Sequence, residues 1–244
     1  MSFWNSAIGA MIGFTIGGHI GALLGGVIGA KFGKKIGSFS FSNNQKNQVV
    51  FFAALFACLA KLAKADGRVS KEEIRAVDKF IKERFKFNSD QRKFAIQIFN
   101  RAKDDSNSYE DYAYQLSGLL KNNKNALLVF YELLFELALA DGVLHEKEQD
   151  LLRNTTHIFK IDPKIFENLK TQFADSKANP YAVLGVTESM DFEEIKRVYR
   201  RKRKEFHPDA LISKGLPEEL IERAKEKFIE IQEAYEVIEK EMKQ

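Results

Sequence analysis

Cysteine is almost absent from this chain of 244 residues, and its scarcity excludes several classes of protein. The single thiol, that of Cys58, cannot form an intramolecular disulfide, so the chain is not a disulfide-stabilised scaffold. Cys58 lies in the apolar run 49–63, which favours a small buried side chain over a reactive thiol. A lone cysteine also fits a reducing compartment.

Proline and strand-like patterns are scarce as well. The chain has four prolines and no alternating run rich in valine and threonine, which predicts an all-α protein. Its length favours two or three modules. The sequence contains no G-x-S-x-G or H-E-x-x-H motif, no P-loop and no Cys/His cluster. We therefore predict neither a cofactor nor enzymatic activity of the chain's own.

Charged side chains are missing from residues 1–30. At about 1.5 Å per residue, a helix over 3–30 would exceed the hydrocarbon core of roughly 30 Å, so residues 1–37 are predicted to form a transmembrane anchor. Nothing basic precedes this segment, whereas Lys31, Lys34 and Lys35 follow it directly. The positive-inside rule then predicts a single-pass helix with a short N-terminus outside and the C-terminal bulk in the cytoplasm.

Glycine recurs through the predicted anchor with a strict period of four. The positions are Gly9, Gly13, Gly17, Gly21, Gly25, Gly29, Gly33 and Gly37. Small residues at this spacing let two membrane helices approach closely, so we expect a homodimer that forms through the glycines from Gly9 to Gly29. A glycine-rich helix that stays monomeric is the alternative.

A second helical module is predicted at 49–174, after a polar, amide-rich linker at 38–48. Apolar residues at positions i, i+3, i+4 and i+7 recur along it, which is typical of a helical bundle. The predicted helices are 49–65, 71–85, 90–105, 109–121, 124–140, 146–159 and 163–173.

One short motif occurs twice in this module. Ala-Asp-Gly at 65–67 recurs at 140–142, and each copy has a glutamate seven residues after the aspartate. The four acids are weak candidates for oxygen ligands of a hard cation: Asp66, Glu73, Asp141 and Glu148. The interpretation we favour is structural, because Asp-Gly can end one helix while the glutamate caps the next.

The duplicated motif, with each copy before a short loop and a glutamate-bearing helix, resembles the TerB-like (tellurite-resistance) helical domains. Since some members of that class bind divalent cations, the resemblance leaves a cation site open. It also implies an alternative function, that of a membrane-anchored metal-responsive or scaffold protein acting through this domain.

A polar break at 175–179 precedes a third module at 180–244. Its first long amphipathic helix ends before His207-Pro208-Asp209, because proline cannot continue a helix and restrains the residue before it. A second amphipathic helix follows Pro217. We expect a helical hairpin with His207-Pro208-Asp209 at its tip.

Basic residues cover much of the polar surface of the first hairpin helix. They are Lys196, Arg197, Arg200, Arg201, Arg203 and Lys204. Cationic helices often bind nucleic acid, but acidic residues flank this run and no aromatic platform for base stacking accompanies it. The pattern favours an acidic protein surface as the partner, with a plain solvated helix as the remaining alternative.

The third module resembles the J-domain family. The match rests on Y-A-V-L-G-V at 181–186, on the basic helix that ends in H-P-D, and on K-F-I-E-I-Q-E-A-Y-E-V-I at 227–238. This resemblance implies that His207, Pro208 and Asp209 trigger ATP hydrolysis by a DnaK-type (heat-shock-protein-70 class) chaperone. It also implies that the basic helix docks on that chaperone.

The order of anchor, TerB-like domain and J-domain resembles the membrane-anchored DnaJ-like co-chaperones. Neither a Gly/Phe-rich region nor a Cys-x-x-Cys zinc module follows the J-domain. The resemblance implies a location in the bacterial inner membrane, with the lipid bilayer and a DnaK-type chaperone as partners and no nucleic acid.

Overall fold

The computed structural model describes residues 17–32, 43–67, 69, 71–85, 87–139, 142–174, 179–207, 209 and 217–243. Within these ranges all regular secondary structure is helical, which confirms the predicted fold class for that part of the chain. In chain order the helices are α1 (Gly18–Phe32), α2 (Asn43–Ala63), α3 (Lys71–Arg84), α4 (Ser89–Asp104), α5 (Tyr109–Leu119), α6 (Lys124–Ala138), α7 (Glu146–Phe159), α8 (Lys164–Ala174), α9 (Pro180–Leu184), α10 (Phe192–Glu205) and α11 (Glu218–Met242).

Helix α2 lies at the centre of the bundle formed by α2 to α8. Every residue from Val49 to Ala60 is buried, and the helix packs against α4, α5, α6 and α7. A helix that is apolar around its whole circumference is stable only when other elements surround it. Helix α6 is buried in the same way from Ala126 to Leu137, and this buried stretch includes two glutamates, Glu132 and Glu136.

Four phenylalanines join α2 to the connection between α3 and α4. The rings of Phe52, Phe56, Phe85 and Phe87 lie with their centroids 5.0–6.5 Å apart, in edge-on and stacked pairs. Such pairs contribute about 0.5–1.5 kcal/mol each beyond the burial of their area. The cluster fixes α3 against the central helix.

Helix α2 begins at Asn43, inside the stretch predicted to be a linker, instead of at Val49. Residues 43–48 contain neither glycine nor proline, and their glutamine and lysine side chains are compatible with a helix, so the buried helix extends into them. The other predicted helices of the bundle begin and end within two residues of the observed bounds.

Helix α1 packs along the bundle against α2, α4 and α5. Its buried face consists of Ile20, Leu23, Leu24 and Val27, which follow the i, i+3, i+4, i+7 spacing. The side chain of Gln115 anchors the first turn: its Oε1 accepts the Ile20 N–H at 2.8 Å, and its Nε2 donates to the Gly17 carbonyl at 2.9 Å.

Among the described residues, no helix has both the length and the apolar composition required to cross a bilayer. Of the predicted anchor 1–37, residues 1–16 and 33–37 lie outside the described residues.

Helices α10 and α11 form the predicted hairpin and run antiparallel. The ring of Tyr199 stacks on Tyr235 with centroids 4.0 Å apart, while His207, further along the chain, lies 5.5 Å from Phe228, which precedes Tyr235 on α11. The apolar side chains between the helices are buried, including Ile195 on α10. The hairpin therefore has a core of its own that places its tip beyond the end of α10.

Candidate functional site

The tip of the hairpin presents an exposed carboxylate. Helix α10 ends at Glu205, and the next residue, Phe206, is buried and donates its N–H to the Lys202 carbonyl at 2.9 Å. The two residues that flank Pro208 are accessible: 48% of the His207 side chain and 81% of the Asp209 side chain are exposed. Pro208 itself lies outside the described residues. The buried Phe206 thus holds the start of a turn whose polar groups face solvent.

A local hydrogen bond orders the tip. The Asp209 N–H donates to Nδ1 of His207 at 3.3 Å, and the imidazole edge rests on the Phe228 ring. The Asp209 carboxylate lies 3.7 Å from the same Nδ1, too far for a hydrogen bond. The histidine therefore shapes the turn, while the carboxylate stays available to a partner.

Five of the six predicted basic residues are exposed: Arg197, Arg200, Arg201, Arg203 and Lys204. The sixth, Lys196, is partly buried. Some of these six cations form ion pairs with acidic residues of their own helix, as Arg197 does with Glu194 at 3.6 Å. Exposed pairs of this kind contribute at most about 1 kcal/mol, so a partner's carboxylates can replace them at little cost. We call these six residues the basic face.

Lys202 belongs to the same helix but points inward, a role that sequence reasoning did not assign. Its ammonium group donates to the Val183 carbonyl at 3.1 Å. Desolvation by burial, together with the nearby charge of Lys227, lowers the pKa of Lys202 to about 8. Lys202 lies three residues after Tyr199 and four before Phe206, so it shares their apolar side of the helix. This spacing was the sequence signal that its side chain is directed inward.

The glycines that end the two Ala-Asp-Gly copies have similar backbone conformations. Gly67 and Gly142 have φ of 103° and 88°, and each donates its N–H to a carbonyl three residues earlier at 2.8 Å. These φ values favour glycine, as the helix-ending interpretation predicted. In the second copy, the buried Glu148 accepts the His145 N–H at 2.9 Å, so this glutamate caps α7.

Of the other three acids of the repeat, only Asp66 has a side chain among the described residues. Asp66 is exposed in its turn, whereas Asp141 and the side chain of Glu73 lie outside the described residues. The described part of the chain contains no group of three or more His, Cys, Asp or Glu side chains that could hold a metal ion.

The predicted glycine stripe winds around α1. Gly17 and Gly25 are exposed, Gly21 is buried, and Gly9 and Gly13 lie outside the described residues. A period of four overshoots the helical repeat of 3.6 residues by about 40° per step, so successive glycines turn steadily around the axis.

Comparisons with known proteins match both folded modules. Residues 52–171 match the family model described as tellurite resistance protein TerB, and residues 179–244 match that of the DnaJ domain. The second match includes the tip and the basic face. Both resemblances predicted from the sequence are thereby confirmed.

Curated relatives align with most of the chain. The chain is 34% identical over 224 residues to a co-chaperone protein DjlA from Photobacterium profundum, an alignment covering 82% of this chain and 80% of that protein. It is 31% identical over 226 residues to a co-chaperone protein DjlA from Photorhabdus laumondii, with 82% of each chain covered. No solved structure gives a significant match.

Proposed function

The chain belongs to the DjlA family of co-chaperones, and from that membership we propose that it stimulates ATP hydrolysis by a DnaK-type chaperone through the tip and the basic face of its hairpin. In this role it regulates its partner's catalysis, and no bond is made or broken in the chain itself. The observation that carries the proposal is the exposed Asp209 carboxylate, held by the ordered turn at the end of an exposed cationic helix.

The basic face and the tip have separate tasks. Several exposed cations along one helix attract an acidic surface from a distance and raise the rate of encounter. Once the helix is docked, Asp209 can accept hydrogen bonds from cationic or amide groups of the chaperone. We propose that this contact shifts the chaperone toward its hydrolysing state, because a ligand shifts an equilibrium when it binds one state better than the other.

The test is the ATPase rate of the cognate DnaK-type chaperone with and without the full chain. We expect stimulation by the unsubstituted chain and its loss in His207→Gln, since the glutamine amide does not reproduce the ring contact with Phe228. The matched control, His157→Gln, changes an exposed histidine on α7 and should stimulate fully. Equal stimulation by the two variants would contradict the assignment of the tip.

We also propose that residues 1–37 anchor the chain in the bacterial inner membrane, with the hairpin on the cytoplasmic side, in a state in which α1 has left its position against α2, α4 and α5. The uncharged segment 1–30 and the lysines that follow it support this proposal. The full chain should stay with the membrane fraction after an alkaline wash, and protease added to intact spheroplasts should remove the hairpin only after lysis. Release of the chain by the alkaline wash would contradict an integral anchor.

The glycine stripe is proposed to pair two anchors. Replacing Gly17 and Gly21 by leucine should reduce self-association in a membrane-based reporter assay, because the larger side chains keep the backbones apart. Ala22→Leu, at an exposed position of the same helix, is the control. Unreduced pairing of the glycine variant would exclude this stripe as the interface.

A further inference from the structure

The hairpin is docked on the central bundle through buried charges. Helix α11 packs against α6, and the short helix α9 packs against α8. The contact joins two modules that match different families. Its polar groups are largely shielded from solvent.

Arg223 on α11 makes the central ion pair. Its Nε lies 3.4 Å from Oε2 of Glu136 on α6, and the two side chains are only 13% and 8% exposed. The guanidinium also pairs with Glu230 of its own helix at 3.4 Å. Although burial lowers the pKa of Arg223, the attraction of Glu136 and other glutamates outweighs that effect and raises it above the usual value. The cation is thus fixed among carboxylates of both modules.

A second buried cation lies one turn further along α11. Lys227 is 2% exposed, and its ammonium group donates to Oε1 of Gln172 on α8 at 3.1 Å. It also lies 3.3 Å from Glu230. Arg223 and Lys227 are four residues apart and therefore share one face of α11, the face directed at the bundle. Each of them contacts a different helix of the central module.

Glu132 completes the set from the central module. This residue is 3% exposed, one turn before Glu136 on the same face of α6, and its Oε2 accepts no hydrogen bond from the described residues. A buried carboxylate without a hydrogen bond is costly unless opposite charges lie close by. Its charge acts on both Arg223 and the inward-pointing Lys202, so the cations of the hairpin compensate it.

We propose that Glu132 and Glu136 of the central bundle, together with Arg223 and Lys227 of the hairpin, form an interdomain docking site that fixes the direction in which the tip and the basic face point. These four are positioning residues, because they act on the partner chaperone only through the orientation of α10 and α11. Buried ion pairs stabilise poorly compared with apolar contacts but tolerate few alternative arrangements, which suits a device that sets one orientation. The carboxylate of the tip and most of the basic face stay exposed beside this contact.

The functional part of this inference depends on the function proposed above, whereas the docking part does not. A fixed hairpin spares the partner the entropy of ordering a tethered module. When docking is lost, the tip and the basic face remain intact, so the maximal stimulation of the chaperone should be unchanged. The concentration of chain needed for half of that stimulation should rise, by about threefold.

The experiment uses the full chain in detergent with spin labels at Asn154→Cys on α7 and Glu233→Cys on α11. Both positions are exposed, and the native Cys58 is buried. We expect a narrow distance distribution by pulsed electron paramagnetic resonance. The Glu136→Arg substitution should broaden it, and adding Arg223→Glu should narrow it again by exchanging the two charges. Glu146→Arg, at an exposed position of α7, is the control and should leave the distribution narrow.

A narrow distribution in Glu136→Arg, or no recovery in the exchanged pair, would overturn the docking site. Broadening without a rise in the half-maximal concentration would overturn the positioning role, as would a fall in the maximal stimulation, which indicates a damaged hairpin. If the unsubstituted chain fails to stimulate the chaperone at all, the proposed function is wrong, and the distance measurement alone still decides whether the hairpin is docked.

Discussion

His207 and Asp209 do different work although they are two residues apart. The imidazole is held against Phe228 and receives the Asp209 N–H, so it stabilises the turn. The carboxylate projects into solvent. The sequence could identify the tip because a proline turn between two amphipathic helices is a local feature that adjacent residues determine.

Residues whose role depends on distant parts of the chain could not be identified in this way. Glu132 and Glu136 lie in the run 126–138, which is otherwise apolar or aromatic and contains no cationic residue. Their partner Arg223 is in another module. Polar residues inside an apolar run signal a buried pair, but the sequence does not say which of the many lysines and arginines completes it.

The pKa of Lys202 predicts how the stability of the hairpin changes with pH. Because its pKa falls from 10.5 to about 8 on folding, the unfolded chain binds more protons than the folded chain between these values. The charged lysine therefore destabilises the hairpin below pH 8, and this cost is relieved as the pH rises through 8 toward 10.5. Other charged groups face it, namely Lys227, Glu132, Glu205 and Arg201, so the comparison must be with a variant.

The unfolding free energy of the unsubstituted chain should rise more steeply from pH 8 to 10 than that of Lys202→Met, as measured by urea titration. Lys204→Met, which changes an exposed lysine on the same helix, should follow the unsubstituted chain. Parallel pH profiles for the unsubstituted chain and Lys202→Met would show that Lys202 keeps its ordinary pKa.

At the scale of elements, the hairpin depends on a narrow apolar seam between α10 and α11. Ile231 on α11 is fully buried in that seam, whereas Ile229, two residues earlier on the same helix, is 53% exposed. Ile231→Ala should destabilise the hairpin by about 2–5 kcal/mol, since it removes buried methyl groups and leaves a cavity. Ile229→Ala should cost less than about 0.5 kcal/mol.

Hydrogen exchange of the α10 amides measures this difference within the full chain. Faster exchange in Ile231→Ala than in Ile229→Ala is expected, and equal exchange rates would contradict the assignment of the seam.

The basic face is expected to determine how much chain is needed to stimulate the chaperone. Replacing both Arg197 and Arg201 by alanine should raise the concentration of chain needed for half-maximal ATPase stimulation by about tenfold, or ~1.4 kcal/mol. The effect should shrink as salt is added, because exposed charges are screened. Lys79→Ala, which removes a well-exposed lysine from α3 of the central bundle, should change nothing. A loss independent of salt would mean that the arginines do not act through their charge.

The bounds of most helices could be predicted from the sequence, but the start of α2 could not. Amphipathic periodicity and capping residues marked most helices of the bundle and the hairpin to within two residues. The amide-rich stretch before Val49 has neither a helix stop signal nor an apolar pattern, so the sequence predicts a linker where the structure has a helix. Burial of the following segment draws residues from Asn43 onward into α2.

For the whole molecule, the docking of the hairpin on the central bundle is what the sequence could not supply. The two modules match separate families, and neither match contains information about their contact. The structure places the buried charges of α6 against α11 and leaves the tip and basic face open. The chain therefore presents its proposed partner-binding surface from a defined support.

We propose that the exposed Asp209 carboxylate acts on a DnaK-type chaperone. The measurement is the single-turnover rate of ATP hydrolysis by that chaperone in the presence of the full chain, with Asp209 or with Asp209→Asn. This substitution removes the charge and keeps the shape. Asp104→Asn, an exposed position on α4, is the matched control. We predict that Asp209→Asn leaves the chaperone at its basal rate while the control stimulates it like the unsubstituted chain. Full stimulation by Asp209→Asn would contradict the account.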